Sequence, residues 1–294
     1  MGIGEEMTAP VLSDFTLQFG NSGVLLNNDP VNSYDPIFDV EKVTGLDSGS
    51  FRSSTKALDG RDGGIVEAEF LDPRTITIAG TCYGQTNPIG PYLDACKANY
   101  GPSKSDQPLY IKEPGNSQRQ VFCKSLGFKY DWDVAYRLNT TPFQITLIAA
   151  DPVVYGTILR SSSGTNSSGV FPGFGFNLAF NFGFGGAYTP ASLIAVNNGN
   201  KTVGGTIVVT GSGTNVKILN NNTGKTLATS ISIGGTDTLI FDLSYRRVTL
   251  NGVSRRGSVT QENWFKFDPG QTQLQLLADA GTISATVYNY DGWQ

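Results

Sequence analysis

From Gly204 onward the chain is cut into short apolar-alternating stretches by strong turn sequences, a rhythm that excludes a helical core. Thr206 to Thr210, Val216 to Leu219, Thr226 to Ser230, Thr238 to Leu243 and Arg247 to Leu250 follow one another in close succession. Asn220-Asn221-Asn222-Thr223-Gly224 and Ile233-Gly234-Gly235-Thr236-Asp237 separate them, and Asn251-Gly252 is a two-residue hairpin turn whose members both tolerate positive φ. Trp264 to Phe267, Gln273 to Ala278 and Ser284 to Tyr290 complete the set, with Asp268-Pro269-Gly270 as a further turn. Eight or nine short strands at this spacing specify a jelly-roll-like β-sandwich.

The segment before it has a different character. Between Phe174 and Phe184 a large apolar residue stands at every even position, and Gly, Asn or Ala at every odd one. Successive strand side chains alternate between faces, so this reads as a strand with one greasy side that must dock on something. Ser161 to Gly169, rich in Ser, Gly, Asn and Thr, reads as a flexible linker. With 294 residues, two domains are expected: an N-terminal domain over 1–160, linker and docking strand over 161–187, and a C-terminal sandwich over 188–294.

The first part is also β-rich. Phe15 to Phe19 and Val24 to Leu26 flank Gly20-Asn21-Ser22-Gly23 as a hairpin, and Ile37 to Val43, Ile65 to Phe70 and Arg74 to Gly80 read as strands. The stretch Gly49 to Gly64, ending in Asp59-Gly60-Arg61-Asp62-Gly63-Gly64, reads as a solvent-facing loop able to order against a neighbouring copy. Its oxygen spacing lacks the Asp ladder and terminal Glu of a calcium loop. Pro91 to Tyr100 is the one helix expected, with Pro in the first turn, Gly101 just past the end, and Leu93, Cys96 and Tyr100 on one face. Strands resume at Leu109 to Lys112, Arg119 to Tyr130, Ala135 to Asn139 and Phe143 to Ile148, and Asp151-Pro152 ends the module.

Charge and chemistry narrow the function. The chain has no histidine, which removes imidazole as general base, triad member and metal ligand. Cys82, Cys96 and Cys123 fit neither a closed disulfide framework nor a CxxC metal pattern, and read as buried thiols of a reducing compartment. The first residues lack a signal-peptide pattern, and no apolar run approaches the ~20 residues a bilayer crossing needs; no membrane partner is expected. Residues 1–160 carry 13 Lys and Arg against 19 Asp and Glu, whereas residues 161–294 carry 8 against 6. An acidic first half disfavours direct nucleic-acid contact and would repel DNA passing beside it.

Enzyme-like and lectin-like alternatives find little in the residues. Asp131-Trp132-Asp133 is the nearest approach to a paired-acid site, yet the spacing suits a solvated turn. In the second part Asp237, Asp242, Glu262, Asp268, Asp279 and Asp291 offer no defensible pair. Trp264, Trp293, Tyr288 and Tyr290 are the aromatic residues a glycan-binding sandwich would use for stacking, although Trp264 beside Phe265 and Phe267 reads more simply as core. No residue is assigned a catalytic, cofactor-binding or metal-binding role, and no enzymatic activity is expected.

The order of pieces resembles one family. Ile148-Ala149-Ala150-Asp151-Pro152 through Tyr155-Gly156 closes the first domain, and Phe-Asn-Leu-Ala-Phe-Asn-Phe-Gly-Phe follows. The sandwich then ends with Ile240-Phe241-Asp242, Arg247-Val248-Thr249-Leu250-Asn251-Gly252 and Trp264-Phe265-Lys266-Phe267-Asp268-Pro269-Gly270. That succession resembles the distal tail proteins (Dit) of phages with long non-contractile tails. The resemblance implies a mainly β chain: an N-terminal belt domain with one short helix, and a C-terminal galectin-like sandwich. It implies a homohexameric ring in the virion at the tail tip, acting as baseplate hub in host attachment. The ring would join the tail tube protein to the adhesin or lysin hub, with DNA and tape-measure protein passing through without specific binding. Inserted carbohydrate-binding modules occur in some relatives, and this chain has no spare length for one. A carbohydrate-binding sandwich protein, or another tail component such as a tube protein, is the alternative.

Overall fold

The computed structural model describes residues 9–21, 24–27, 37–47, 51–57, 62, 64–168 and 188–294. The alternating Phe174 to Phe184 segment lies outside them. The chain folds as two compact units, Met1–Thr157 with Gln294, and Ile158–Trp293.

The first unit contains β1 (Thr16–Phe19), β2 (Leu25–Leu26), β3 (Ile37–Thr44), β4 (Phe51–Ala57), β5 (Gly64–Leu71), β6 (Arg74–Tyr83), α1 (Gly90–Tyr100), β7 (Gln107–Lys112), β8 (Arg119–Tyr130), α2 (Val134–Arg137), β9 (Thr140–Ala149) and β10 (Val154–Gly156). Its main sheet runs β2-β1-β7-β8-β9-β6-β3, and every pairing is antiparallel. β8 joins the two halves: Arg119–Cys123 pairs with β7, and Lys124–Tyr130 pairs with β9 with a bulge at Ser125/Gly127. A bulge lets a long strand bend between partners. Near the bulge at Val40/Lys42 in β3, a Cβ on Gly80 would stand 2.0 Å from the Asp39 carbonyl oxygen, so glycine is required there.

α1 matches the helix expected from the sequence and buries Leu93, Cys96 and Tyr100. The Tyr100 ring stacks on Phe19 at 5.7 Å, and its hydroxyl donates to the Val24 carbonyl at 2.8 Å. A buried phenol is tolerated because its one donor is satisfied. Ile76, Ile78, Leu109, Val121, Ile145 and Leu147 fill the rest of this core, all with no exposed surface.

Two expectations for this unit are corrected. Residues 49–64 read as a loop in the sequence, but Phe51–Ala57 is β4, paired with β5 in a two-stranded ribbon with no third strand among the described residues. Ser and Thr at 53–55 hide the strand from the pattern, since its partner and not its apolarity fixes it. Ala135 to Asn139 reads as a strand, but Val134–Arg137 is helical because the Asp133 carboxylate accepts from the Ala135 and Tyr136 amides at 2.9 and 3.2 Å.

The second unit contains β11 (Arg160–Thr165), β12 (Ser167–Ser168), β13 (Tyr188–Thr189), β14 (Ala191–Asn197), β15 (Thr206–Thr214), β16 (Lys217–Asn220), β17 (Thr226–Thr229), β18 (Ser232–Ile233), β19 (Thr238–Asp242), β20 (Arg247–Leu250), β21 (Val253–Ser254), β22 (Val259–Glu262), β23 (Gly270–Leu277) and β24 (Ala280–Asn289). One sheet runs β11-β24-β15-β19-β20-β21, with β18 also on β15; the other runs β14-β23-β16-β17-β22. Inward positions alternate as a sandwich requires. Leu193, Ile207, Val209, Ile218, Leu239, Phe241, Leu274, Leu276, Ile283 and Val287 all lie in the core.

The Ser/Gly-rich segment expected to be a linker is integral to this sandwich. β11 pairs with β24 over six residues, from Arg160↔Asn289 to Thr165↔Ser284. Its outward hydroxyls bond across the ladder, Ser163 to Thr286 at 2.9 Å and Thr165 to Ser284 at 2.8 Å. Small hydroxyl residues therefore satisfy a solvent-side sheet face. Trp264 to Phe267 is likewise no ladder strand: only Phe267 bridges, to Val203, while Phe265 and Phe267 are core and Trp264 is half-buried.

Candidate assembly surfaces

Most of the acidic residues considered for catalysis have structural partners. Asp237 accepts the Gly234 amide and the Asn251 side-chain amide, both at 2.8 Å, and these bonds hold its carboxyl below the ordinary value. Asp279 is held down by Lys217 at 2.7 Å and Asn215 at 2.8 Å. Burial pushes Asp291 up, but paired bonds from Arg160 and the Asn198 amide outweigh it and leave its carboxyl low. Asp242 accepts the Tyr245 amide and faces Arg247, Asp268 accepts the Thr202 hydroxyl, and Glu262 is exposed near Arg256. A glycosidic general acid needs a raised carboxyl, opposite to these shifts. Asp131 and Asp133 lie on the α2 turn, where Asp133 is a helix cap.

The thiols are buried and unpaired: burial pushes Cys82 and Cys123 up to about 12, and Cys96 higher still. At neutral pH they are protonated and act as small apolar core groups. Tyr288 and Tyr290 are half-buried, as is Trp293, and the structure does not gather them with Trp264 into an exposed platform.

What the described surface does offer is contact area. A row of rings leads from core to solvent: Phe38 on Phe143 at 5.6 Å, Phe143 on Phe128 at 6.1 Å, Phe128 on Tyr130 at 6.0 Å, Tyr130 on Tyr136 at 6.2 Å, and Tyr136 on Trp132 at 6.1 Å. Trp132 is 84% exposed, with Val134 at 73% and Leu138 at 76% beside it. The turn is pinned, since the Asn139 side chain donates to the Gly84 and Asn87 carbonyls and the Thr141 hydroxyl to that of Asp131. A held tryptophan among exposed aliphatics has the composition of a protein contact. The β4–β5 ribbon is a second such surface, because an isolated two-stranded ribbon is marginal in water. A third is the β19–β20–β21 edge, where Tyr245, in the turn before β20, is 67% exposed and Arg247 lies over its ring at 4.9 Å. The sequence signal for the first is Trp132 between two aspartates, and for the third the doublets Arg246-Arg247 and Arg255-Arg256; neither reads as a contact surface until the fold is known.

Residues 198–292 match the model of the siphovirus-type tail component, C-terminal domain. That span covers β15 to β24, so the match falls within the second unit. The chain as a whole has the fold of the SPP1 Dit (gp 19.1) crystal structure, with a TM-score of 0.61, 14% identity, and 96% of this chain and 100% of that chain covered. SPP1 Dit is described as a paradigm of the hub adsorption apparatus in phages infecting Gram-positive hosts. Chains of the phage p2 baseplate in its activated conformation align more weakly. The form with calcium gives a TM-score of 0.46 at 8% identity, over 92% of this chain and 97% of that one. The form with strontium gives 0.45 at 9%, over 94% and 98%. No curated protein sequence matches the chain.

Proposed function

We propose that this protein is a structural subunit of the tip of a long non-contractile phage tail. Copies of the first unit form a ring, expected to hold six. The ring joins the tail tube protein to the adhesin or lysin hub and leaves a channel for DNA and tape-measure protein. The observation that carries this reading is the tail-component match at 198–292 within a chain that shares the Dit fold over 96% of its length.

Three features support assembly as the task. The β4–β5 ribbon lacks a third strand among the described residues and gains stability by docking on a neighbour. The α2 turn presents rigid apolar groups to solvent. The acidic surplus of residues 1–160 suits the wall of a DNA conduit, which must not hold passing phosphates. Gold-labelled antibody against Ile158–Trp293 on intact virions tests the location. Label at the tail tip is expected; label along the tube, or none on the particle, overturns the reading.

A further inference from the structure

Four of the eight Lys and Arg of residues 161–294 fall between positions 246 and 256. The fold concentrates them: β19, β20 and β21 are consecutive antiparallel strands, and the Arg255 amide donates to the Val248 carbonyl at 2.8 Å. The doublet Arg255-Arg256 is thereby brought alongside Arg246-Arg247, and all four are exposed. β21 ends its sheet, so the hairpin forms an edge.

The second unit neutralises only part of this charge. Arg247 pairs with Asp242 at 3.2 Å, and Arg256 reaches Glu262 only at 3.9 Å. Arg246 and Arg255 have no ion-pair partner among the described residues. Four cations on one edge repel one another, a cost a complementary surface would remove. Tyr245, in the turn between β19 and β20, is exposed at the start of this edge with Arg247 over its ring, and so brings an aromatic group to the arginines as binding hot spots do. Guanidinium groups favour bidentate carboxylate partners. Residues 1–160 of a second copy supply such carboxylates in excess, with six more acids than bases.

We propose that the β20–β21 arginine hairpin docks on the acidic first unit of a second copy of this chain. The inference rests on the reading that copies assemble, and it names a contact which that reading leaves open. The attraction is between exposed charges, so it weakens as salt rises.

The test uses the full chain with R246K/R255K, which keeps the charge and adds two carbodiimide-reactive amines. Equal amounts of ¹⁴N- and ¹⁵N-labelled protein are mixed, cross-linked and analysed by mass spectrometry. Cross-links between copies, from positions 246 or 255 to carboxylates in the first unit, weaker in 0.5 M salt, are expected. In parallel, the charge reversal R246E/R255E weakens self-association by roughly tenfold with the melting temperature unchanged. Links confined to one copy or to the second unit, or a reversal variant associating like wild type, overturn the proposal. Negative-stain images separate the two readings. Annular particles without these cross-links retain the ring and discard the hairpin contact, whereas cross-links between copies without rings do the reverse.

Discussion

The Arg160–Asp291 clasp gives the sharpest test of the sandwich as described. Arg160 opens β11, the strand whose composition reads as a linker. Its Nε and Nη2 donate to the two Asp291 carboxylate oxygens at 2.7 Å each, and the Asn198 amide donates to the same carboxylate at 2.8 Å. Asp291 is only 7% exposed. A hydrogen bond to a charged group contributes about 1.5–3 kcal/mol. Because the Arg160 side chain is 33% exposed, water recovers part of the loss when the pair is broken. Asp291→Asn should therefore destabilise the second unit by about 2–3 kcal/mol, a fall of roughly 1–2 M in urea midpoint. Tryptophan fluorescence reports this unit selectively, since Trp264 and Trp293 are half-buried while Trp132 is already exposed. Arg160→Met should cost about as much, and the double variant less than the sum, with a coupling above about 1 kcal/mol. Additive losses, or an unmoved midpoint, would refute the clasp. The pH dependence has a fixed sign. The folded Asp291 carboxyl titrates below its unfolded value of about 4, so its contribution is complete above that pH and disappears as pH falls through the folded pKa.

Two further outcomes follow from local geometry. Asn251 has φ of 50° and its side chain both accepts from the Thr238 amide at 2.9 Å and donates to Asp237 at 2.8 Å. Asn251→Ala should cost about 1–2 kcal/mol and Asn251→Gly less, in the same urea assay, because glycine keeps the backbone geometry; equal losses would place the cost in the side-chain bonds alone. In native protein at pH 8 none of Cys82, Cys96 and Cys123 should react with a thiol reagent over minutes, and all three should react once unfolded. Rapid native labelling would mean that the core around α1 opens.

Much of the architecture is legible where apolar alternation and turn chemistry agree. β15, β16, β19 and β20 lie where Thr206, Val216, Thr238 and Arg247 begin their stretches, and Asn251-Gly252 turns as both positive φ values require. α1 is legible because Pro91 and Gly101 punctuate a face made by Leu93, Cys96 and Tyr100. The failures share a cause: a ladder partner far away in sequence supplies what local composition lacks. β4 is specified by β5, and β11 by β24, whose hydroxyls complete those of Ser163 and Thr165. The reverse error at Val134–Arg137 comes from one cap, Asp133, overruling weak strand propensity. The contact surfaces are harder still. Trp132 reads only as part of a solvated turn until its exposure is known, and the arginine doublets are nine residues apart until the hairpin joins them.

Solution mass of the wild-type protein, measured alone and with the tube protein of the same phage, addresses the central claim most directly. A self-assembling tail-tip subunit predicts a closed species of about six times the 31.4 kDa chain, annular by electron microscopy. A particle of one chain that persists in the presence of the tube protein would contradict the account.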